Sequence, residues 1–559
     1  MGSFVLMASV IVSKAAGLIM KIPLANLLGG TGMGYYSGAY GVFMPFYALL
    51  AGSLPPAVAA LVSENNALGR KADVRKTRRT ALLFFGTASF FMSLIPLLFA
   101  KFISARIIGN PEAWLSVAII SPCIFFGTIT AVLRGYYEGL HSMTPTSISQ
   151  MIDALVKLIT GLGLALAVKS YADGCFLTGS TVFGRVCLNE YDLEAASLPY
   201  ISAAAIMGTT LSDLFAMLYL LIKCRLDGGR HIPEKERLNC SRGNGSAGIL
   251  GRLLKMISPI AAASLVASLL GTIDLYTIIS MIKLSLRRHP ELYAQKYSGI
   301  IGSGVGLNEL PNFLYGSFTG LSMAIFGLAP SLCAVFGKSA FPGISESHAK
   351  GDKEAVSKEI RRAVMLSLFI SIPAGLGLAV FSKPILSVLF ASRYAEISVS
   401  YLPLSILALS TPFLSVFSAC ASMLQAIGRA DIPVKISLVG AFIKSGLNAV
   451  LIPWKQSGLP GASWATVISY TVMCLWAVAA LYRLSGTRVT VIRTVLLPLG
   501  NGLISVGGAY YLYFRLAGCL SAAVLLTISV AFAVIIYILL GIVLDITNKN
   551  TFSAYFFDL

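Results

Sequence analysis

The sequence predicts an all-α membrane protein with about 14 transmembrane helices. First, 56% of the 559 residues are hydrophobic and only 12% are charged, a balance that soluble domains do not have. Second, apolar runs of about 20 residues, the length that crosses a bilayer, recur from one end of the chain to the other. Third, the Lys and Arg residues cluster in alternate loops between these runs, which is typical of membrane proteins.

Fourteen apolar runs are bounded by polar or turn-forming residues, and we expect each of them to be a span. Within several residues they cover 3–28, 36–62, 80–101, 113–134, 146–169, 199–222, 254–282, 314–340, 363–382, 400–425, 433–453, 461–483, 490–513 and 518–544. The first run lacks the basic start and the cleavage site of a signal peptide. Prolines inside the runs, such as Pro45 and Pro373, often mark kinks near a substrate path.

A faint internal repeat predicts two lobes. The segments 137–157 and 425–444 each begin with a turn, continue with a proline at a helix start and carry a lysine about three turns later. Chance similarity among apolar segments is the alternative explanation. We expect two six-helix lobes around a central cavity, followed by two additional helices. The expected limits are 1–225 for the N-terminal lobe, 226–253 for a cytoplasmic linker, 254–485 for the C-terminal lobe, and 486–559 for the two additional helices and a cytoplasmic tail.

The placement of the basic residues predicts the orientation. The loops after the second, sixth, eighth and twelfth runs are rich in Lys and Arg, so we expect them, and both termini, to be cytoplasmic. This clustering also explains the net charge of +19, so the charge does not require a nucleic-acid-binding function. The loop after the seventh run is the exception, because Lys283, Arg287, Arg288 and Lys296 then lie outside. We expect part of that loop to be an amphipathic helix at the membrane interface.

The nine cysteines include no Cys-x-x-Cys pair and no Cys/His spacing of a metal site, so we expect no bound metal. Cys175 and Cys187 share one polar loop that we place outside the membrane. Because the exterior is oxidising, a disulfide between them is plausible. A disulfide and two free thiols remain open alternatives.

The first run carries two lysines where lipid is expected. Lys14 lies about eleven residues into the run, or roughly 16 Å at the helical rise, where an ammonium group costs at least a few kcal/mol. Lys21 falls on the same helix face nearly two turns later. We interpret both as a positive stripe facing a cavity that handles an anionic substrate. The alternatives are that Lys21 snorkels to the headgroups and that Lys14 neutralises a structural aspartate.

Five further charged residues within predicted spans are candidates for burial inside the membrane. Asp153 and Lys157 are spaced i, i+4, so their side chains lie on one helix face. They either take part in transport or neutralise each other's charge so that the helix can insert into the membrane. Lys444 suits a contact with substrate or with a backbone carbonyl. Asp213 is within reach of cytoplasmic water and suits a structural role, whereas Asp274 suits a counter-ion or a coupling carboxylate. We take the two lysines as candidates for substrate binding and the three aspartates as candidates for coupling or charge pairing.

No catalytic constellation is evident in the sequence. The four histidines are isolated, and no Gly-rich loop ending in Lys-Ser/Thr is present to bind ATP. A polyprenyl-phosphate transferase would want acidic residues in an outer loop, and the first expected outer loop, 25–36, has none. We therefore expect a protein that is not an enzyme, has no cofactor and draws on an ion gradient or the membrane potential.

Five stretches, spread over most of the chain, carry a resemblance to a known family. They are SKAAGLIMKIPLANLLGGTGMGYYSGAYG (13–41), GSLPPAVAALVSE (52–64), LAPSLCAVFGKSAFPGISESHAKGD (328–352), IPAGLGLAVFSKPILSVLF (372–390) and SMLQAIGRADIPVKISLVGAFIKSGLNAVLIP (422–453). Together with fourteen spans, they resemble the stage V sporulation protein B group of polysaccharide-type transporters. This group lies in the multidrug/oligosaccharidyl-lipid/polysaccharide flippase superfamily and is related to the lipid II flippases.

The resemblance implies two six-helix bundles around a solvent-filled cavity that opens alternately to the two membrane faces. It also implies an isoprenoid-linked, pyrophosphate-bearing glycolipid as cargo, with the last two spans forming a groove for the isoprenoid tail. By position, Lys14 matches the first cavity arginine of the lipid II flippases, and Lys21 approximately matches the second. Lysine keeps the charge but loses bidentate phosphate geometry, and no arginine stands near Ser53-Leu54, where the family has another.

We therefore expect a flippase that moves an undecaprenyl-pyrophosphate type oligosaccharide or peptidoglycan precursor across the cytoplasmic membrane by alternating access. Its expected partners are this lipid-linked saccharide and the membrane lipids, and the chain is expected to act as a monomer. One alternative is a cation-coupled multidrug exporter of the same superfamily. Another is a non-transporting scaffold in envelope or spore assembly.

Overall fold

A computed structural model describes residues 2–227, 246–301, 305–454, 457–486, 492–518 and 520–547. Within these residues the chain is helical apart from turns, loops and two isolated β-bridges, so the predicted all-α class is confirmed. The helices of the first half are α1 (Gly2–Leu50), α2 (Leu54–Ala67), α3 (Lys71–Leu98), α4 (Ala100–Ile103), α5 (Trp114–Ile120), α6 (Cys123–Gly139), α7 (Met143–Leu177), α8 (Glu190–Asp227), α9 (Ser246–Arg288), α10 (Pro290–Lys296) and α11 (Ser298–Ile301). Those of the second half are α12 (Leu310–Ser317), α13 (Met323–Phe326), α14 (Leu328–Ala349), α15 (Lys353–Val380), α16 (Ser382–Leu389), α17 (Tyr394–Ala408), α18 (Thr411–Ala426), α19 (Asp431–Leu451), α20 (Leu459–Ser485), α21 (Leu497–Arg515) and α22 (Ala522–Thr547).

The described residues contain 11 helical segments long and apolar enough to cross a membrane, or up to 13 when two bent helix pairs are counted as spans. The protein is thus a multi-pass membrane protein, and the count of 14 stays a prediction. One difference comes from the start of the chain, where the sequence predicts the two spans 3–28 and 36–62. The structure has two helical parts in α1, joined by the non-helical backbone of Gly29, and both belong to one apolar segment that includes α2, Ile19–Ala67.

The residues of α1 on both sides of Gly29 are helical within the region expected to be the first outer loop, 25–36, and α1 is kinked at Gly29. The backbone of Gly29 has φ 60 and ψ −169, a combination that essentially only glycine adopts. A kink at one glycine therefore replaces the expected loop between the first two spans.

Two compact units divide the chain. The first comprises Met1–Ile279 and Ile301–Gly316, and the second comprises Ser280–Ile300 and Ser317–Leu559. These limits differ from the expected ones, 1–225, 226–253, 254–485 and 486–559. Most of the expected linker lies outside the described residues, and the rest belongs to helices α8 and α9.

The first part of α9 packs within the first unit, which explains why the boundary is not at 254. The Arg252 guanidinium pairs with the Glu64 carboxylate at 2.7 Å, and the Thr272 hydroxyl donates a hydrogen bond to the Gly41 carbonyl at 2.7 Å. A single helix of 43 residues thus starts in one unit and ends in the other, which a span count does not reveal.

Close contact between α7 and α8 organises the first unit. Gly208 of α8 faces Gly161 of α7, and a Cβ atom added at Gly208 would overlap the Gly161 backbone. Small residues at such points let two membrane helices approach closely. Helices α1, α5 and α6 pack against this pair, so polar residues near the glycine contact are enclosed by several helices.

The second unit has its core among α14, α15, α18 and α20. Buried apolar residues of this core include Ile344, Ile360, Leu424 and Met473. Helices α21 and α22, expected as additions after the C-terminal lobe, pack on the same unit through a cluster that contains Phe381 and Val506. The expected amphipathic segment is present as α10 and α11, where one side is buried, with Tyr293, Tyr297 and Ile300; its place at the membrane interface stays a prediction.

Candidate functional site

Polar side chains from α1, α6, α7 and α8 meet inside the first unit. Asp153 and Lys157 project from adjacent turns of α7, and Thr209, Ser212 and Asp213 project from the facing part of α8. This position is next to the contact between Gly161 and Gly208. The helices that bring these groups together are otherwise apolar, so the cluster is a candidate functional site rather than a solvated surface.

Asp153 is held by a hydroxyl of the neighbouring helix. The Ser212 hydroxyl donates to Asp153 Oδ1 at 2.7 Å and also lies 2.9 Å from the Thr209 carbonyl. A hydrogen bond to a carboxylate is charge-assisted and is stronger than one between neutral groups. Ser212 therefore fixes the orientation of this carboxylate.

The ammonium group of Lys157 lies over an aromatic ring. Its Nζ lies 5.0 Å from the centre of the Tyr40 ring, within the range of a cation–π interaction. The Tyr40 hydroxyl is hydrogen-bonded to Thr209 Oγ1 at 2.5 Å. Among the contacts of the described residues, Lys157 and Asp153 form no direct ion pair. The two members of the expected i, i+4 pair thus interact with different neighbours, and the Lys157 ammonium is not neutralised by direct contact.

Asp213 and Arg134 complete the cluster. Asp213 is 7% exposed, and it lies within electrostatic range of Asp153, Arg134 and Lys157. The Arg134 Nε donates to the Ser149 hydroxyl at 2.8 Å, while its Nη2 is buried with no hydrogen-bond partner among the described residues. Two acids and two bases therefore balance in charge, and one guanidinium nitrogen remains available as a donor.

Arg134 and Tyr40 are members of the site that the sequence analysis missed. Arg134 stands at the predicted end of the span 113–134, where an arginine normally reaches the headgroups. Tyr40 carries no charge, and nothing in its local sequence separates it from the aromatic residues around it. The contact between Arg134 and Ser149 of the next helix can be recognised only when the packing of α6 against α7 is known.

The second unit repeats one part of this arrangement. Lys444 is 2% exposed, and its Nζ lies 5.5 Å from the centre of the Tyr470 ring. Asn448, one turn later on α19, is fully buried. The two lysines that the internal repeat relates, Lys157 and Lys444, thus both lie over a tyrosine ring inside their own unit.

Asp274 is buried in the first unit at 7% exposure, on α9, and it lies within electrostatic range of Tyr315. Lys21 is exposed on α1. The side chain of Lys14 lies outside the part of the molecule that the structure describes. The structure brings Asp153, Lys157 and Asp213 together, and the roles of all the candidate residues stay predictions.

The hairpin between α7 and α8, expected outside the membrane, holds the two cysteines. Cys175 and Cys187 are free thiols in the structure, although both pack against one small apolar cluster with Ala172 and Val182. A disulfide between them stays a prediction. Arg185 ties the hairpin to the start of α5 through an ion pair with Glu112 at 2.8 Å.

Glu309 lies near this ion pair, outside the spans. Its own burial, followed by the charge of Glu112, raises the pKa of Glu309, while Arg185 opposes this shift. In the described residues no group of three or more His, Cys, Asp or Glu side chains is placed to hold a metal ion.

Comparison with known proteins shows which families the chain resembles. The family model described as Polysaccharide biosynthesis protein matches residues 1–180, and the one described as Lipid II flippase MurJ matches residues 316–556. Stage V sporulation protein B of Bacillus subtilis (strain 168) is 22% identical over 477 residues, which are 85% of this chain and 82% of the relative. These matches make the chain similar to members of the multidrug/oligosaccharidyl-lipid/polysaccharide flippase superfamily, with each family model covering less than half of the chain. The predicted resemblance is confirmed.

Two further similarities cover almost the whole chain. Lipid II flippase MurJ of Bacillus subtilis (strain 168) is 22% identical over 572 residues, covering 98% of this chain and 96% of the relative. The solved structure "Lipid II flippase MurJ, inward closed conformation" has a TM-score of 0.68 at 14% identity, covering 97% of this chain and 99% of that chain. At this identity the structural likeness shows the fold alone.

Proposed function

We propose that the protein is a flippase that moves a lipid-linked, pyrophosphate-bearing saccharide from the cytoplasmic to the outer leaflet by alternating access. The observation that carries this proposal is the presence of lysines inside apolar spans. Lys157 and Lys444 lie within their units over tyrosine rings. Because an ammonium group inside the membrane costs at least a few kcal/mol, such residues are usually functional.

The proposed roles follow from charge. Lys14, Lys21, Lys157 and Lys444 attract the pyrophosphate group at successive stages of transport. Asp153, Asp213 and Asp274 hold these cations between transport events or couple transport to an ion gradient or the membrane potential. The saccharide lipid and the surrounding membrane lipids are then the partners of a monomer that works without a resident cofactor.

The names of the relatives support a lipid-linked cargo. Among them are two proteins named as lipid II flippases and a "Probable low-salt glycan biosynthesis flippase Agl15" of Haloferax volcanii. These names differ in the saccharide, so the proposal commits to the class of lipid-linked cargo and leaves the sugar to experiment.

A cation-coupled multidrug exporter is the second candidate. It would need an excess of carboxylates to hold an organic cation. Asp153 and Asp213 share their cluster with two basic residues, Arg134 and Lys157, so carboxylates are not in excess there. An organic-cation resistance test in an exporter-deficient host separates the two functions.

The proposal is tested in proteoliposomes. Fluorescent lipid II and other undecaprenyl-pyrophosphate-linked sugars are assayed for movement between leaflets, with and without a membrane potential. We expect flipping by the natural protein, loss of flipping in Lys14→Ala and retention in Lys14→Arg, because arginine keeps the charge. Equal flipping by the alanine variant and the natural protein would contradict the role of the charge. A variant that no longer flips lipid but still functions in vivo would support the alternative of a non-transporting scaffold in envelope or spore assembly.

A further inference from the structure

Prolines inside membrane helices leave one backbone carbonyl without its normal partner. Proline has no N–H, so the carbonyl four residues earlier loses its hydrogen bond, and the proline ring pushes the helix away from it. No bulk water is present in the bilayer core to take the place of the missing donor. Each such carbonyl therefore needs a donor from somewhere else, and the source of that donor is informative.

In α1, Pro45 frees the carbonyl of Gly41. The Thr272 hydroxyl of α9 donates to this oxygen at 2.7 Å. Helix α9 reaches it because residue 41 has no side chain: a Cβ atom there would lie 2.8 Å from Leu275 Cδ2. The donor thus comes from a different helix, far away in the sequence.

In α15, Pro373 frees the carbonyl of Phe369. The Tyr537 hydroxyl of α22 donates to this oxygen at 2.8 Å. The Tyr537 ring also packs on the Phe369 ring, with 4.8 Å between centroids, and Tyr537 is only 6% exposed. Again the donor comes from a distant helix, here the last one described.

Pro259 in α9 provides a comparison, because the replacement donor there comes from the same helix. It frees the carbonyl of Lys255, and the Ser258 hydroxyl of the same helix lies 3.4 Å from that oxygen. A donor on the same helix moves with the bend. A donor on another helix is present only while the two helices keep their distance.

We propose that Thr272 and Tyr537 are positioning residues whose hydroxyls hold the proline bends of α1 and α15 in one of two states. We call these two hydrogen bonds the hydroxyl caps. A cap is made while its two helices are close, and it is broken when they separate. Proline prevents the helix from supplying its own donor, so the bend angle depends on the cap. This inference rests on the proposed function, because alternating access supplies the motion that makes and breaks the caps.

The test is a pair of double-mutant cycles. Tyr537→Phe removes only the hydroxyl, and Pro373→Ala restores the N–H that the Phe369 carbonyl needs. We expect Tyr537→Phe to lower the flipping rate of fluorescent lipid II about 5- to 10-fold in the natural protein, and by less than about 2-fold in the Pro373→Ala background. Thr272→Val with Pro45→Ala forms the second cycle, which keeps the inference testable where one double variant does not insert. Ser258→Ala is the matched control and leaves the rate within about 2-fold.

A structural measurement separates failure of this inference from failure of the proposed function. Spin labels at the exposed positions 358 and 380 of α15, in a background without reactive cysteines, report the bend in substrate-free protein. We expect Tyr537→Phe to shift or broaden the distance distribution when Pro373 is present and to leave it unchanged in the Pro373→Ala background. A shift with no lipid flipping by the natural protein supports the caps and contradicts the proposed cargo. An unchanged distribution, or equal shifts in both backgrounds, overturns the inference.

Discussion

Lys157 shows how a single residue keeps a charge inside a membrane protein without an ion pair. Its ammonium lies over the Tyr40 ring, while the nearby Asp153 is bound by Ser212. An aromatic face lowers the cost of burying a cation but leaves its charge unneutralised. The positive charge thus remains available to an incoming anion, which a contact ion pair would not allow.

Replacement of Lys157 separates charge from packing. We expect Lys157→Met to reduce lipid flipping at least about 10-fold while insertion and thermal stability are retained, because methionine fills a similar volume without charge. Lys157→Arg keeps the charge and the ring contact and should retain most of the activity. Flipping rates and melting temperatures of both purified variants check this. A methionine variant as active as the natural protein would exclude Lys157 from the transport path.

At the residue scale the sequence predicted which acids and lysines lie inside the spans, but not what they touch. Asp153, Lys157 and Asp213 are identified by charge inside an apolar run alone. The partners Tyr40, Thr209 and Ser212 are ordinary residues of membrane helices, and only the packing of α1 and α8 on α7 selects them. Contacts that depend on tertiary packing leave no periodic pattern in a single sequence.

At the scale of elements, the close approach of α7 and α8 at Gly161 and Gly208 sets the geometry of the cluster. Lys157 is one turn before Gly161, and Thr209 follows Gly208 directly. The sequence predicted both spans and their approximate ends, because length and hydropathy determine them. It did not predict that residues 25–36 are helical on both sides of a kink at Gly29, or that helix α9 is shared between the two units, because these features depend on one glycine angle and on packing partners.

Two glycine substitutions on these helices have opposite expected effects. Gly208→Ala introduces a methyl group where the Gly161 backbone already lies, and this should destabilise the protein by about 1–3 kcal/mol. Gly163, also on α7, has nothing within 4 Å of an added Cβ, so Gly163→Ala should be neutral or stabilising by up to about 1 kcal/mol. Thermal unfolding in detergent measures both. Equal melting temperatures for the two variants would contradict the close contact.

At the scale of the whole molecule, the recurring long apolar helices describe a multi-pass membrane protein, and its orientation is the property still to be measured. The two units each hold a lysine over a tyrosine ring, which agrees with the faint repeat in the sequence. The repeat does not predict where one unit ends, since α9 contributes to both.

The orientation is tested by labelling from outside the cell. Asn66 follows the second predicted span and Ser180 lies in the hairpin between α7 and α8; both are exposed. With Cys175 and Cys187 replaced by serine, we expect a membrane-impermeant maleimide to label Ser180→Cys but not Asn66→Cys, because basic loops stay cytoplasmic. Labelling of both after permeabilisation is the control. The reverse pattern would invert the proposed direction of transport.

The backbone conformation at the Gly29 kink can be tested by placing an L- or a D-amino acid at this position. Its φ 60 and ψ −169 are the mirror image of φ −60 and ψ 169, which lie in the broad extended region open to any L-residue. An L-alanine at this position is therefore strained, and Gly29→Ala should lower the melting temperature. A D-alanine introduced by chemical ligation meets the same angles without strain and, by reducing the freedom of the unfolded chain, should raise the melting temperature above that of the natural protein.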